Sequence, residues 1–444
     1  MGSPWVLKRW TATIDPVPHL LPFRALRYDA ADSPDLSAVL CPPYDVISPA
    51  EREVLAARDP RNAVHVELPI GERVRGAVSP YEAAAQTFSR WIADGTLRRD
   101  ERPMVYLYEQ SYQSADGSER AARGFFARLR LEPYGPASGV LPHEHTLSGP
   151  KEDRFRLMSA VKANLSPVLF LYDNGDQGAA AEKLIEALTS ARPEVEALGP
   201  GGLVNRLWLV DPAVSDHARE LIELAASGPL TIADGHHRYE TALRYRDQPG
   251  APNAADFVLA LLYDAHSGGL GLLPWHRVLH GVAEGKQLLD AASDWFGVTP
   301  CRSSGDLVRA LADDDPSVPG RIGLWTREGG ALLEVDRARV EGLLPASASE
   351  TLRWLDVSVL SSTLSRMIGS PPEQLATNGN LTYVSDATAA MAQVESGADA
   401  AFLLRPTPIE DVVAVAAAGE HMPAKSTFFH PKAATGLVFN PLAD

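Results

Sequence analysis

Cysteine is scarce in this chain: Cys41 and Cys301 are the two thiols in 444 residues. Two cysteines cannot build a disulfide framework, so a reducing, cytoplasmic setting is expected. Basic charge is in deficit as well, with 41 Lys+Arg against 57 Asp+Glu and a formal net charge of −16 at pH 7. A field of that sign repels polyanions, which argues against nucleic acid as a partner and leaves room for a small anion in a pocket. Long apolar runs are missing too. Residues 257–263 and 412–418 come nearest and fall far short of the ~20 residues of a membrane helix, so no membrane partner is expected. Lys8 and Arg9 are not followed by the apolar stretch that a signal peptide requires. There are no internal repeats. Nor do His-Glu-x-x-His, Gly-x-Ser-x-Gly or Gly-x-Gly-x-x-Gly occur in a suitable context, which takes support from several common enzyme classes.

What is present is ordinary globular material, 45% hydrophobic and 22% charged, with strand-like and helix-like periods alternating along the chain. The spacing predicts a helix opened by Ser48-Pro49 and running to about Ala57, and another over 81–93 that stops at Gly95. Residues 104–112 and 120–131 read as a hairpin across Asp116-Gly117. Buried strands are expected at 167–172, 203–210 and 230–233, with helices at 179–188 and 214–226 between them, in the alternation of βαβ units. Beyond Pro274-Trp275-His276-Arg277 the pattern continues with a helix near 286–295, paired strands at 322–326 and 331–335, and helices at 356–367 and 387–393. The fold class is therefore α/β to α+β, mixed sheets with helices. Two regions are expected, 1–285 and 286–444, with the Ser-, Asp-, Pro- and Gly-rich stretch 298–319 as the best internal boundary.

Three polar clusters carry the candidate chemistry. The first is Asp234-Gly235-His236-His237-Arg238, directly after an apolar strand. Gly235 permits a tight turn, and a helix starting at His236 would aim backbone N–H groups, two imidazoles and a guanidinium at one anion. The plain alternative is an Asp234 N-cap with Arg238 as its surface partner. The second cluster, from His143 to Arg154, holds His143, Glu144, His145, Lys151 and Arg154. If extended, it places the two histidines on one side, as a metal would want, and Glu144 on the other; a Glu near a substrate hydroxyl is equally a general base, and a solvated loop with a capped helix is the third alternative. In the third cluster, from Gly419 to Lys432, Lys425, Ser426 and Thr427 suit a phosphate and its Mg²⁺, but the Gly-rich lead of a P-loop is missing and a surface loop fits equally.

These strings resemble a known family. Cys41-Pro-Pro-Tyr-Asp-Val, the loop 143–154, Ala233-Asp-Gly-His-His-Arg-Tyr-Glu-Thr-Ala-Leu, Met422-Pro-Ala-Lys-Ser-Thr-Phe-Phe-His-Pro-Lys and Gly436-Leu-Val-Phe-Asn-Pro-Leu look like the signatures of the bacterial and archaeal domain of unknown function 1015, over nearly the whole chain. The shorter string 234–238 also resembles the nucleotide-binding turn of the free-serine kinases of the ParB/sulfiredoxin-like superfamily. That resemblance implies a ParB/sulfiredoxin-like nucleotide-binding core plus an additional α+β domain. It also implies an ATP- or ADP-dependent transfer of phosphate to the hydroxyl of a free amino acid, serine first, with Mg²⁺. By position it makes Asp234, Gly235, His236, His237 and Arg238 phosphate contacts, with Asp234 also reaching the metal, and Glu144 the base, with Asp45 in reserve. Lys151, Arg154, Lys425, Ser426 and Thr427 complete the phosphate set, and His237 joins the catalytic group. A homodimer is compatible with this reading. Two other readings stand beside it: a metal-dependent hydrolase built on His143, His145, His236 and His237, and a non-catalytic nucleotide-sensing switch.

Overall fold

Local sequence sets the elements. In the computed structural model, which describes residues 17–443 apart from 30–34, 71–78, 115–116, 134, 136–137, 146–147, 176–177, 283–284 and 313–319, Ser48 and Glu51 close a full capping box on the helix Pro49–Arg58. This satisfies two of the helix's orphan N–H groups. The helix Pro80–Ala93 ends at Asp94, with Gly95 in the left-handed region at φ +82°. The strands Val105–Gln113 and Glu119–Arg130 pair antiparallel as a hairpin; of its predicted turn, Gly117 sits at φ +81° and Asp116 lies outside the described residues.

Among the described residues, two large sheets organise the chain. The first has nine strands. Eight of them run in the order Val140–Leu141, Leu230–Asp234, Val168–Tyr172, Phe257–Asp264, Glu119–Arg130, Val105–Gln113, Val204–Val210 and Val195–Leu198, and Leu20–Leu21 adds to Glu119–Arg130. The inner strand Val168–Tyr172 is buried along its whole length, which is why its sequence is a continuous apolar run rather than an alternating one. The edge strand Val195–Leu198 alternates buried and exposed. The second sheet has six strands, in the order Phe296–Cys301, Gly329–Val335, Arg321–Thr326, Ala400–Leu403, His276–Leu279 and Leu381–Val384. One apolar cluster joins the two sheets, running from Leu261 and Tyr263 to Leu279, Ile322 and Phe402. The fold is mixed α and β. No helix among the described residues is long and apolar enough to cross a membrane.

Two expectations need correction. Strands and helices do alternate over residues 168–234, but Leu230–Asp234 runs antiparallel to Val168–Tyr172, so these are not βαβ crossovers. Periodicity fixes the type of an element, whereas the direction of pairing is decided by distant packing. The stretch 298–319 is also not irregular throughout: Phe296–Cys301 is a strand of the second sheet and Ser304–Ala312 a helix beside it. Residues 313–319 lie outside the described residues.

The last segments return to the first half through two separate two-stranded pairings. Phe428–His430 pairs antiparallel with Gly271–Leu273, and Asn440–Pro441 with Ala163–Asn164. Tyr108 fastens this return: its hydroxyl donates to Asn205 Oδ1 at 2.6 Å and accepts from the Ala434 N–H at 3.2 Å, all of it buried. Tyr108→Phe strands the buried Ala434 N–H and leaves Asn205 Oδ1 only the Gln110 amide at 3.1 Å, and is expected to lower the unfolding free energy by about 1–3 kcal/mol. Urea titration checks this, and an unchanged midpoint would mean that the hydroxyl does not fasten the segment.

Candidate functional site

The strand Leu230–Asp234 ends in a turn that only glycine makes easily. Gly235 sits at φ +92°, and a Cβ there would come within 2.9 Å of the Arg238 Nε. The helix His236–Arg246 starts immediately, with Gly235 as an N-cap that has no side chain to cap it. The first turn of this helix carries the positive end of its dipole.

Asp234 is the charge at the centre. One carboxylate oxygen accepts from Lys432 Nζ at 2.7 Å and the other from the Arg238 guanidinium. Burial alone would raise this carboxyl, but the Lys432 and Arg238 charges outweigh it and hold the group well below the usual carboxylate range. Arg238 is spent on this pair and on the Pro167 carbonyl.

Lys425 and Glu144 face this network. The strand-like residue Glu144 bridges to Met422 in parallel, and its Oε1 accepts from the Lys425 N–H at 3.1 Å. Lys425 lies in the left-handed region at φ +60°, which costs a lysine energy unless its surroundings hold it there. Glu144 holds its N–H, and the buried Arg277 donates to its carbonyl at 3.1 Å. Burial raises the Glu144 carboxyl above its ordinary value, against the pull of Lys425. The Lys425 ammonium stands 4.9 Å from the Trp275 ring centre and that of Lys432 4.8 Å from Phe428, and the two rings meet edge to face.

These groups line one cavity of ≈ 90 Å³, together with Tyr44, Asp45, His145, His236, His237 and Thr427. The cavity thus joins the turn 234–238, residues 144–145 and the segment 425–432, along with Tyr44 and Asp45 from the 3₁₀ turn Tyr44–Val46. Burial lowers the pKa values of His236 and His237, so their rings are neutral hydrogen-bonding groups at neutral pH.

Four expected contacts are turned elsewhere. Ser426 is buried and its hydroxyl donates to the Pro423 carbonyl. Lys151 pairs with Glu240 outside the cavity lining. Arg154 donates to the Glu67 carbonyl at 2.7 Å and lies over the Tyr44 ring at 4.0 Å, so it braces a cavity wall instead of meeting a ligand. Asp234 has both oxygens on cations, so it is turned to Lys432 and Arg238. The four-histidine metal site is not assembled either. His143 Nδ1 bonds the Ile232 carbonyl at 2.7 Å and its Nε2 the Thr427 hydroxyl at 3.0 Å, while His145 stacks on His421. Among the described residues no group of three or more His, Cys, Asp or Glu could hold a metal ion.

Sequence reasoning missed Lys432, Trp275, Phe428 and Tyr44 as wall residues. Lys432 and Phe428 belong to the third polar cluster and carry no local signal that separates them from Lys425. The run Pro274-Trp275-His276-Arg277 was dense enough in unusual residues to mark a site, but it read as the start of the second half. A larger cavity of ≈ 430 Å³ lies beside Trp354 and Asp411 and contains none of the three clusters; its Arg405 is held bidentately by Asp356 at 2.8 Å.

Comparison with known proteins gives a family and distant shapes. A family described as "Protein of unknown function (DUF1015)" matches residues 20–358. That match leaves the resemblance seen in residues 422–442 outside it. No curated protein matches. Among solved structures, a free serine kinase variant in complex with ADP aligns with a TM-score of 0.36 at 11% identity, over 68% of this chain and 89% of that one. SbnI with a C-terminal truncation from Staphylococcus aureus gives 0.36 at 12%, over 70% and 88%. A conserved hypothetical protein from Pyrococcus furiosus gives 0.34 at 13%, over 66% and 87%. Scores at this level assign no activity.

The Asp234 network makes a pH-dependent prediction. Its folded pKa lies below the unfolded value of ~3.9, so its stabilisation is present above about pH 4 and is lost as pH falls further. Lys432→Met is expected to cost about 3 kcal/mol at pH 7 and to flatten the acid limb of the stability curve. Urea titrations at pH 7 and pH 3 measure both; equal stability of the two proteins at pH 7 would dissolve the network.

Proposed function

The chain belongs to the DUF1015 family, whose description assigns no activity, and from its own residues we propose an ATP- or ADP-dependent phosphotransferase that phosphorylates the side-chain hydroxyl of a free amino acid, L-serine first, to O-phosphoserine. The observation that carries this reading is the pairing, in one cavity, of a carboxyl raised by burial with two lysine ammonium groups and an uncapped helix N-terminus. Phosphoryl transfer asks for those parts: neutralisation of the polyphosphate, and a carboxylate to orient and deprotonate the acceptor.

Lys425, Lys432 and the N–H groups after Gly235 take the phosphates. Trp275 and Phe428 give the cavity an apolar wall beside them. The acceptor hydroxyl passes its proton to Glu144, its oxygen bonds to the terminal phosphorus, and the bond from that phosphorus to the bridging oxygen breaks. The nucleotide leaves one phosphate shorter, and Glu144 returns the proton to water. A carboxyl raised above its ordinary value is a stronger base than a surface one as long as it remains ionised. Asp45, exposed at the rim of the same cavity, is the reserve base. The amino-acid class of acceptor follows the resemblance of the string 234–238 to the free-serine kinases. Among the described residues no group of three or more His, Cys, Asp or Glu could hold a metal, so a Mg²⁺ would ride on the nucleotide phosphates with at most one or two protein carboxylates, and the side-chain cations supply the rest of the charge neutralisation.

Glu144→Gln keeps an oxygen for the Lys425 N–H and removes the base. It is expected to cut turnover by about 10²–10⁴-fold and to leave calorimetric ADP affinity nearly unchanged. Undiminished turnover would transfer the role to Asp45. A phosphorus NMR screen of free hydroxy amino acids with ATP and ADP tests the reaction itself, and nucleotide binding without any phosphorylated acceptor would leave the sensing switch in its place.

A further inference from the structure

The His143 ring fixes the direction of a hydrogen bond that opens into the cavity. The Ile232 carbonyl can only accept, so the 2.7 Å contact requires the proton on His143 Nδ1. His143 is fully buried, and burial lowers its pKa to about 4, so the ring is neutral at pH 7 and Nε2 carries a lone pair. Across 3.0 Å, the Thr427 hydroxyl must then be the donor. A hydroxyl has one proton. With that proton committed to His143, what Thr427 presents to the cavity is lone pairs.

We propose that Thr427, locked by His143 as an acceptor, joins Glu144 in binding the hydrogen-bond donors of the phosphoryl acceptor, the hydroxyl and ammonium of a free amino acid, and does not contact phosphate. This rests on the phosphotransferase reading and gives the cavity two kinds of lining group. Lys425, Lys432 and the helix N-terminus offer donors and positive charge to the nucleotide. Glu144 and Thr427 offer acceptors, and phosphate oxygens, which are acceptors themselves, find no donor in them. The Thr427 carbonyl accepts from Trp275 Nε1 at 3.1 Å, which anchors the residue in the cavity wall. His143 acts through Thr427 as a positioning residue.

Thr427→Val keeps the shape and removes the hydroxyl. With L-serine as acceptor, it is expected to raise the L-serine KM by about tenfold while the ATP or ADP KM stays unchanged, and Thr427→Ser is expected to restore the original value. A rise confined to the nucleotide KM or to the Mg²⁺ requirement, or no rise at all, overturns the assignment. If the unaltered protein transfers no phosphate to any hydroxy amino acid, the phosphotransferase reading falls separately. In that event ¹⁵N NMR of the histidine rings and calorimetry with L-serine decide. A proton on His143 Nδ1, with L-serine binding lost in Thr427→Val, supports the acceptor role; a proton on Nε2, or no L-serine binding by the unaltered protein, overturns it.

Discussion

A carboxylate at the end of a buried strand cannot stay ionised without matched positive charge, and Asp234 finds that charge at two places far apart in the chain. Arg238 comes from the next turn of the same segment, and Lys432 from nearly two hundred residues later. The second pairing is what brings residues 425–432 to the turn. It works together with the Phe428–His430 strand pairing and the Glu144–Lys425 hydrogen bond, both of which tie the same segment to the first half. Without these ties the helix N-terminus, the two lysines and Glu144 would be features of separate surfaces.

Once assembled, the cavity is lined by groups of two kinds. The start of the helix His236–Arg246 and the lysines favour anions. Beside them stand a raised carboxyl and a threonine whose hydroxyl bonds the buried His143 ring. Lys425 is held in an unfavourable backbone conformation by Glu144 below and Arg277 behind. Strain of this kind survives where the surrounding structure over-determines a residue, which is common at functional sites.

Much of the local structure was legible in the sequence because short-range rules decide it: the Ser48 cap before Pro49, the turn at Gly117, the strand Val168–Tyr172 and the glycine that opens the helix at His236. The first cluster was legible for the same reason, since a strand running straight into Asp-Gly-His-His-Arg leaves few structural uses for so many polar groups. What local pattern could not supply was direction and partnership. The antiparallel pairing of Leu230–Asp234 with Val168–Tyr172 and the engagement of Arg154 over Tyr44 depend on segments tens of residues or more away. Lys432 looked like its neighbours because its role is set by Asp234, not by anything beside it in sequence.

The most direct check is a crystal structure of the protein soaked with ADP and Mg²⁺. The phosphates should lie between the N-terminus of the helix His236–Arg246, Lys425 and Lys432, with Glu144 and Thr427 left free of phosphate oxygens. Phosphates bound instead in the cavity beside Arg405 and Asp356, or a site 234–238 that stays closed to nucleotide, would contradict the convergence on which this reading is built.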